Sequence, residues 1–177
     1  LGEKVILDHQ PDLLVSGINH GSNTAVNIIY SGTMAAVLEG TVDGIPSVGF
    51  SLNDFSPDAD FSLCEPYVQN IILEVLEKGL PEKTCLNVNF PAVKTEEING
   101  VKICKQGNGI WDEVFDSRLD PHRRSYYWLS GNYRSLENGK DTDEWALRNN
   151  YVSIVPVHYD LTNHSAIDYF KKWKLDV

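Results

Sequence analysis

The chain has 177 residues, an apolar fraction of 42% and a formal net charge of −10. Those values fit one ordinary globular domain, or one with an appendage, and argue against disorder. They also argue against a nucleic-acid polymer as partner, because a phosphate backbone is repelled by such a surface, and no apolar run approaches the ~20 residues that span a bilayer.

Leu1 to Leu7 reads as the end of a helix, so a further segment is expected upstream of Leu1. Leu13-Leu14-Val15 reads as a short buried strand that runs into a polar loop. Ser31 is the expected N-cap of a helix with Met34, Val37 and Leu38 on one face, stopped at Gly40 or Gly44. The next strand is expected over 45–51. This strand-loop-helix-strand order is the building block of a parallel α/β sheet. Val68, Ile71, Ile72, Val75 and Leu76 keep helical spacing, with Pro66 in the first turn and Gly79 as the stop. Cys85 to Phe90 alternates as a strand, and a further strand is expected within 98–104, beside the Asn99-Gly100 turn signal.

From Trp111 to Asn150 the chain is polar, aromatic and rich in turn residues, and only Tyr126-Tyr127-Trp128-Leu129 reads as a strand there. Such a segment makes a poor core alone and is expected to be an arm completed by a partner. Tyr151 to Val157 is expected to be a strand. A closing amphipathic helix is expected to carry Ile167, Phe170 and Trp173, with Ser165 and Asp168 in capping-box-like register. The expected division is 1–110 as a core and 111–177 as a C-terminal segment holding an arm, the last core strand and that helix. Cys64, Cys85 and Cys104 are odd in number and lack a Cys-x-x-Cys pair. They are expected to be buried free thiols in a reducing cytoplasm.

The stretch that points to chemistry is Ser16 to Thr33, eighteen residues without Lys, Arg, Asp or Glu. Its glycines allow close backbone approach, and its hydroxyls and amides supply neutral donors and acceptors. It follows an expected parallel strand and enters a helix N-terminus, where open α/β sheets bind ligands and where exposed amides favour anions. The competing reading is a polar surface loop. A phosphomonoester held here without Lys or Arg calls for a divalent cation, and hard cations prefer carboxylates that this stretch lacks. The carboxylates are therefore expected elsewhere.

Pro11-Asp12-Leu13-Leu14-Val15-Ser16-Gly17-Ile18-Asn19, Gly21, Asn23 and Ile29-Tyr30-Ser31-Gly32-Thr33 resemble the central signature of the SurE family. The similarity continues through Glu39-Gly40, Gly44-Ile45-Pro46, Asn87-Val88-Asn89-Phe90-Pro91, Thr142-Asp143, Tyr151 to Ile154, and Asp160-Leu161-Thr162 with His164-Ser165. It covers nearly the whole chain and is weak from about Trp111 to Lys140.

The resemblance implies a Rossmann-like, three-layer α/β/α fold with a mostly parallel sheet and a C-terminal oligomerisation arm. It implies a metal-dependent 5′/3′-nucleotidase that hydrolyses nucleoside monophosphates, with short polyphosphates as further substrates. One divalent ion per subunit, Mg²⁺ or Mn²⁺, is implied, with Asn19 the ligand present here. An Asp-Asp pair and a Ser are implied upstream of Leu1. Asn23, Ser31, Gly32 and Thr33 are implied to bind phosphate, and Asn19, Ser31 and His164 to serve catalysis. His164 stands as an acid or as an ordering residue of the C-terminal arm, and Asp160 shares its motif. His20 and His158 read as surface or satisfied histidines. Trp111, Tyr126, Tyr127 and Trp128 stand between base stacking and interface packing. The family further implies a homodimer or homotetramer with exchanged C-terminal segments, and the lack of a long apolar run leaves no membrane partner expected. A nucleoside hydrolase and a non-catalytic nucleotide-binding or assembly module are the rival functions.

Overall fold

A computed structural model describes residues 2–175. Seven strands and five α-helices are laid out in it: β1 Leu14–His20, α1 Asn27–Tyr30, α2 Gly32–Val42, β2 Ser47–Leu52, α3 Glu65–Lys78 and β3 Thr84–Phe90, then β4 Gly100–Ile103, β5 Gly109–Leu119, β6 Ser125–Ser135, α4 Asp143–Arg148, β7 Tyr151–His158 and α5 Ile167–Phe170. Gly2–Ile6 forms one wide helical turn, in keeping with the helix end expected there. Leu1 lies outside the described residues.

The main sheet has the order β1-β2-β3-β7-β4. The β1–β2, β2–β3 and β4–β7 pairings are parallel, and only β3–β7 is antiparallel. Strand alternation divides its two faces. Val48, Phe50, Leu52, Val88, Phe90, Val152 and Ile154 form the main core, against which Tyr67, Val68, Ile71 and Ile72 of α3 pack. On the opposite face Met34 and Val37 of α2 pack with Cys85, and Ala146 of α4 packs with Cys104 and Val155. The result is the expected three-layer α/β/α arrangement. α3 begins with Pro66 in its first turn and ends at Gly79, and α2 ends at Asp43 and Gly44. Gly40 lies inside α2 rather than at its end.

The stretch expected as one long loop is shorter than eighteen residues. Its first part is strand and its last part is helix, leaving residues 21–26 as the connection. Gly17 has φ of +106°, and a Cβ there would fall 2.2 Å from the Phe50 carbonyl oxygen. Only glycine meets both conditions. The β1–β2 register slips between Ser16 and Asn19, and such an irregularity re-aims the side chains beyond it.

Two expectations for the C-terminal third need correction. Beyond Tyr126–Leu129, an antiparallel hairpin pairs β5 and β6 along their whole length, from Gly109↔Ser135 to Leu119↔Ser125. Nearly all its residues are exposed, so neither face shows the alternation that marks a half-buried strand. The closing amphipathic helix is only the single turn α5, entered through a tight turn at His164–Ala166 that Asn163 caps, not Ser165. Ile167, Phe170 and Trp173 remain exposed, because no sheet face lies beneath them.

Candidate active site

Asn19 lies at the end of β1, beyond the slip in register. Its amide oxygen accepts three hydrogen bonds, from Ser51 Oγ at 2.7 Å, Thr33 Oγ1 at 2.8 Å and Asn23 Nδ2 at 3.0 Å. Its Nδ2 donates to the carbonyls of His20 and Gly21, which fixes the orientation of the amide. Asn23 is buried, and its Nδ2 also donates to Ser51 Oγ at 2.7 Å. Both of its side-chain hydrogens are thus engaged, and Asn23 holds Asn19 in this geometry.

The sheet beneath is polar where a core is usually apolar. Asn87 and Asn89 point toward α2 while Leu86, Val88 and Phe90 point toward α3. Asn89 Oδ1 accepts from the Asn23 backbone N–H at 2.7 Å, and Asn87 Nδ2 donates to the Asn23 carbonyl at 2.9 Å. Asn89 Nδ2 closes the set on Asn87 Oδ1. Buried amides are stable when satisfied in this way. The effect is to clamp residue 23 from both sides.

Asp143 anchors the same connection from α4. It is fully buried, and its carboxylate accepts from the backbone N–H groups of Ala25 at 2.9 Å, Gly107 at 2.8 Å and Glu144 at 2.8 Å. Ala25 sits at φ of +49°, an uncommon conformation for a residue other than glycine, and Asp143 secures it. Burial pushes the Asp143 carboxyl above the usual carboxylate range, against the three amides that pull it down.

Ser31 caps α2, its Oγ accepting from Met34 N at 3.0 Å. Gly32 and Thr33 occupy the first two helical positions, whose N–H groups have no intrahelical carbonyl and favour an anion. A groove of about 580 Å³ connects Ser31, Ile28 and Leu38 with Val157, Asp160 and Leu161. His164 lies next to this groove through its partner Asp160, which lines it. It is exposed and pairs with Asp160 at 3.1 Å. Asp160 is held down to about 2, first by the Thr162 hydroxyl, then by the Thr162 amide and by His164. His20 is exposed and packs edge-on against Phe61. His158 lines the groove beside Ser31.

Sequence reasoning pointed to Asn19, Asn23, Ser31, Gly32 and Thr33, and the structure brings Asn19 together with Asn23 and Thr33 by direct hydrogen bonds, with Ser31 and Gly32 at the start of the same helix; His164, also named, pairs with Asp160. That reasoning missed Ser51, Asn87, Asn89 and Asp143 as parts of the site. The signal for the two asparagines was their alternation with apolar residues in a strand that pairs on both sides. All three cysteines are buried and free, and burial pushes Cys64 up to about 12 and raises Cys85 and Cys104 as well. Among the described residues no group of three or more His, Cys, Asp or Glu side chains is placed to hold a metal ion.

The fold and this cluster define an α/β protein with a neutral oxygen-rich site at the carboxyl end of a parallel strand, beside a helix N-terminus. The family described as "Survival protein SurE" matches residues 1–113. The chain belongs to the SurE family. A relative from Flavobacterium psychrophilum, named 5′-nucleotidase SurE, is 52% identical over 171 residues, covering 97% of this chain and 66% of the relative. One from Bacteroides fragilis, of the same name, is 49% identical over 177 residues, covering 99% of this chain and 68% of the relative. The crystal structure of the SurE protein from Aquifex aeolicus superposes with a TM-score of 0.80 at 38% identity, covering 96% of this chain and 68% of that one. The chain thus spans 66% of the length of the first of these relatives. Among the described residues no helix is long and apolar enough to cross a membrane.

Proposed function

We propose that the protein is a metal-dependent phosphomonoesterase that hydrolyses nucleoside monophosphates to nucleoside and phosphate, as a 5′/3′-nucleotidase, with short polyphosphates as secondary substrates. The observation that carries this reading is the Asn19 amide oxygen held beside the N-terminus of α2. The relatives' name, 5′-nucleotidase, supports it.

The residues present fit a hard cation in part. Thr33 Oγ1 and Ser51 Oγ each lie within 2.8 Å of Asn19 Oδ1, an all-oxygen set of the kind Mg²⁺ or Mn²⁺ takes. The set is neutral, so the charge of the site must come from carboxylates outside it, consistent with an Asp-Asp pair and a Ser upstream of Leu1. A bound divalent ion polarises phosphoryl oxygens and lowers the pKa of its water.

This chain's own residues do the rest. Asn19 presents its oxygen, with Asn23 and Ser51 fixing its direction. The amides of Gly32 and Thr33, with the Ser31 hydroxyl, donate to the phosphate and to the charge that develops on it, while the Thr33 hydroxyl donates to Asn19 Oδ1. His164, paired with Asp160, serves as an ordering residue of the C-terminal segment. Exposed apolar residues on the hairpin, including Phe115 and Trp128, and the packed rings of Phe170 and Trp173 support a homodimer or homotetramer with exchanged C-terminal segments. Buried free thiols agree with a reducing cytoplasm.

The test is Asn19→Ala in the full-length protein, assayed for inorganic phosphate across a metal titration. A loss of about a hundredfold or more at low metal, partly recovered at high metal, is expected of a ligand. Unchanged activity at low metal overturns the assignment, and release of free base instead of phosphate overturns the reaction.

A further inference from the structure

The connection after β1 has two sides. Asn23 turns inward to Asn19 and Ser51, while its neighbours Ser22 and Thr24 line a crevice between this connection and the root of the hairpin. The crevice has a volume of about 230 Å³ and is walled by Ser22, Asn27, Asn53, Phe55, Trp111 and Tyr133. That is below the roughly 300–1,000 Å³ of pockets that take a whole drug-sized ligand, and it suits a single planar ring system.

Its walls are aromatic. Trp111 and Tyr133 meet edge to face with centroids 5.5 Å apart, and Trp111 is 45% exposed. The Trp111 indole N–H donates to Asn27 Oδ1 at 2.8 Å, which fixes the ring and leaves the Asn27 amide hydrogens unengaged among the described residues. Phe55 lies over Gly21, where φ is +81° and a Cβ would fall 2.3 Å from the ring. Only glycine lets the phenyl ring approach so closely.

Ser22 and Thr24 bond to each other and Glu144 pairs with Arg148, but a second carboxamide of the crevice is uncommitted. Asn53 donates its backbone N–H to the Phe90 carbonyl at 2.9 Å, but its carboxamide has no hydrogen-bond partner among the described residues. Asn53 is two residues beyond Ser51, so the strand end that orients Asn19 also delivers this amide to the crevice. Burial and the Glu144 carboxylate raise the Tyr133 phenol above its ordinary value, so it stays neutral. Stacking surface with unpaired carboxamides is the chemistry that recognises a heterocyclic base: the rings take its faces, and an amide pairs with its donor and acceptor edge.

We propose that this crevice is the nucleobase subsite of the enzyme, with Trp111 as stacking wall and Asn53 as a specificity-determining residue. The proposal rests on the nucleotidase reading for its place in the reaction. The hairpin is therefore part of the substrate site at its root, and Trp111 differs in use from Tyr126, Tyr127 and Trp128 near the tip.

The experiment compares kcat/KM for four nucleoside 5′-monophosphates with that for ribose 5-phosphate, in the full-length protein and in Trp111→Ala, Trp111→Phe and Asn53→Ala. The base is expected to confer an advantage over ribose 5-phosphate. Trp111→Ala should cut that advantage about tenfold, in line with the loss of one stacking contact. Trp111→Phe should keep most of it, and Asn53→Ala should change the ranking among bases. An advantage and ranking unchanged in both alanine variants overturn the subsite. Binding of unphosphorylated adenosine and guanosine, measured by calorimetry, separates the two readings. If no substrate releases phosphate but these nucleosides bind and Trp111→Ala abolishes binding, the nucleotidase reading fails and the subsite stands. If they do not bind and no substrate releases phosphate, the subsite fails too.

Discussion

The crest of β1–β3 and the β5–β6 hairpin are opposite in what holds them. At the crest, the buried side chains of Asn23, Ser51, Asn87 and Asn89 link to one another or to the residue-23 backbone and to the half-buried Asn19, while buried Asp143 holds the neighbouring Ala25 N–H. On the hairpin, Val114, Phe115, Tyr127, Trp128 and Leu129 are exposed, while the charged contacts are surface ion pairs such as Arg134–Asp112 and Arg118–Asp116. The placement inverts the usual rule of apolar inside and polar outside. A buried polar network fixes geometry to within a hydrogen bond, which a phosphate site requires, and exposed apolar strands mark a surface meant to be covered.

The largest expected effect is at Asp143. Asp143→Ala strips three backbone N–H groups of their buried acceptor, a loss of about 3–5 kcal/mol in unfolding free energy by denaturant titration. Phosphate release should fall with it, because Ala25 and the connection to Asn23 lose their anchor. A loss under about 1 kcal/mol would show that the buried network is not what holds the crest.

Ser51→Ala is expected to separate geometry from stability. It removes one donor to Asn19 Oδ1 and one acceptor for Asn23 Nδ2, costing about 1–2 kcal/mol of stability. Activity should fall by more than that figure predicts, since Asn19 loses its fixed direction. An activity loss that merely tracks the fraction unfolded would break the link between Ser51 and the site.

The same contrast explains what the sequence revealed. α3 was legible because Val68, Ile71, Ile72, Val75 and Leu76 face one core, and Pro66 and Gly79 mark its ends. Asn19, Ser31, Gly32 and Thr33 were legible because they crowd into one short stretch. Asp143 was not, because its partners Ala25 and Gly107 are 118 and 36 residues away, and no local pattern records such a pairing. β5 and β6 were hidden for a different reason: a strand without a buried face carries no alternation. α5 was over-read, because spacing at Ile167, Phe170 and Trp173 states which side is apolar and not whether anything lies against it.

On the hairpin, Phe115→Ser is expected to change the unfolding free energy of the isolated subunit by less than about 0.5 kcal/mol, as for exposed positions in general. The mass measured by light scattering should fall toward that of one subunit at micromolar concentration. A large stability loss without any change of mass would make the hairpin part of the subunit's own core.

The smallest effect belongs to the turn that leaves β7. Asp160 is exposed and held down to about 2, against an unfolded value of about 3.9. A depressed carboxyl contributes stability that is complete above its unfolded pKa and is lost as pH falls through its folded one. The turn with Thr162 and His164 should therefore stay intact through the range in which ordinary carboxylates protonate, and open only as pH approaches about 2. Carbon-detected NMR titration of the Asp160 carboxyl reads this directly. Thr162→Ala, which removes the largest cause of the shift, should raise the midpoint toward the ordinary value. A midpoint near 4 in the unaltered protein would mean that the turn is not formed in solution. The His164 ring would then lose its one polar partner among the described residues, and with it the ordering role assigned to it at the start of the C-terminal segment.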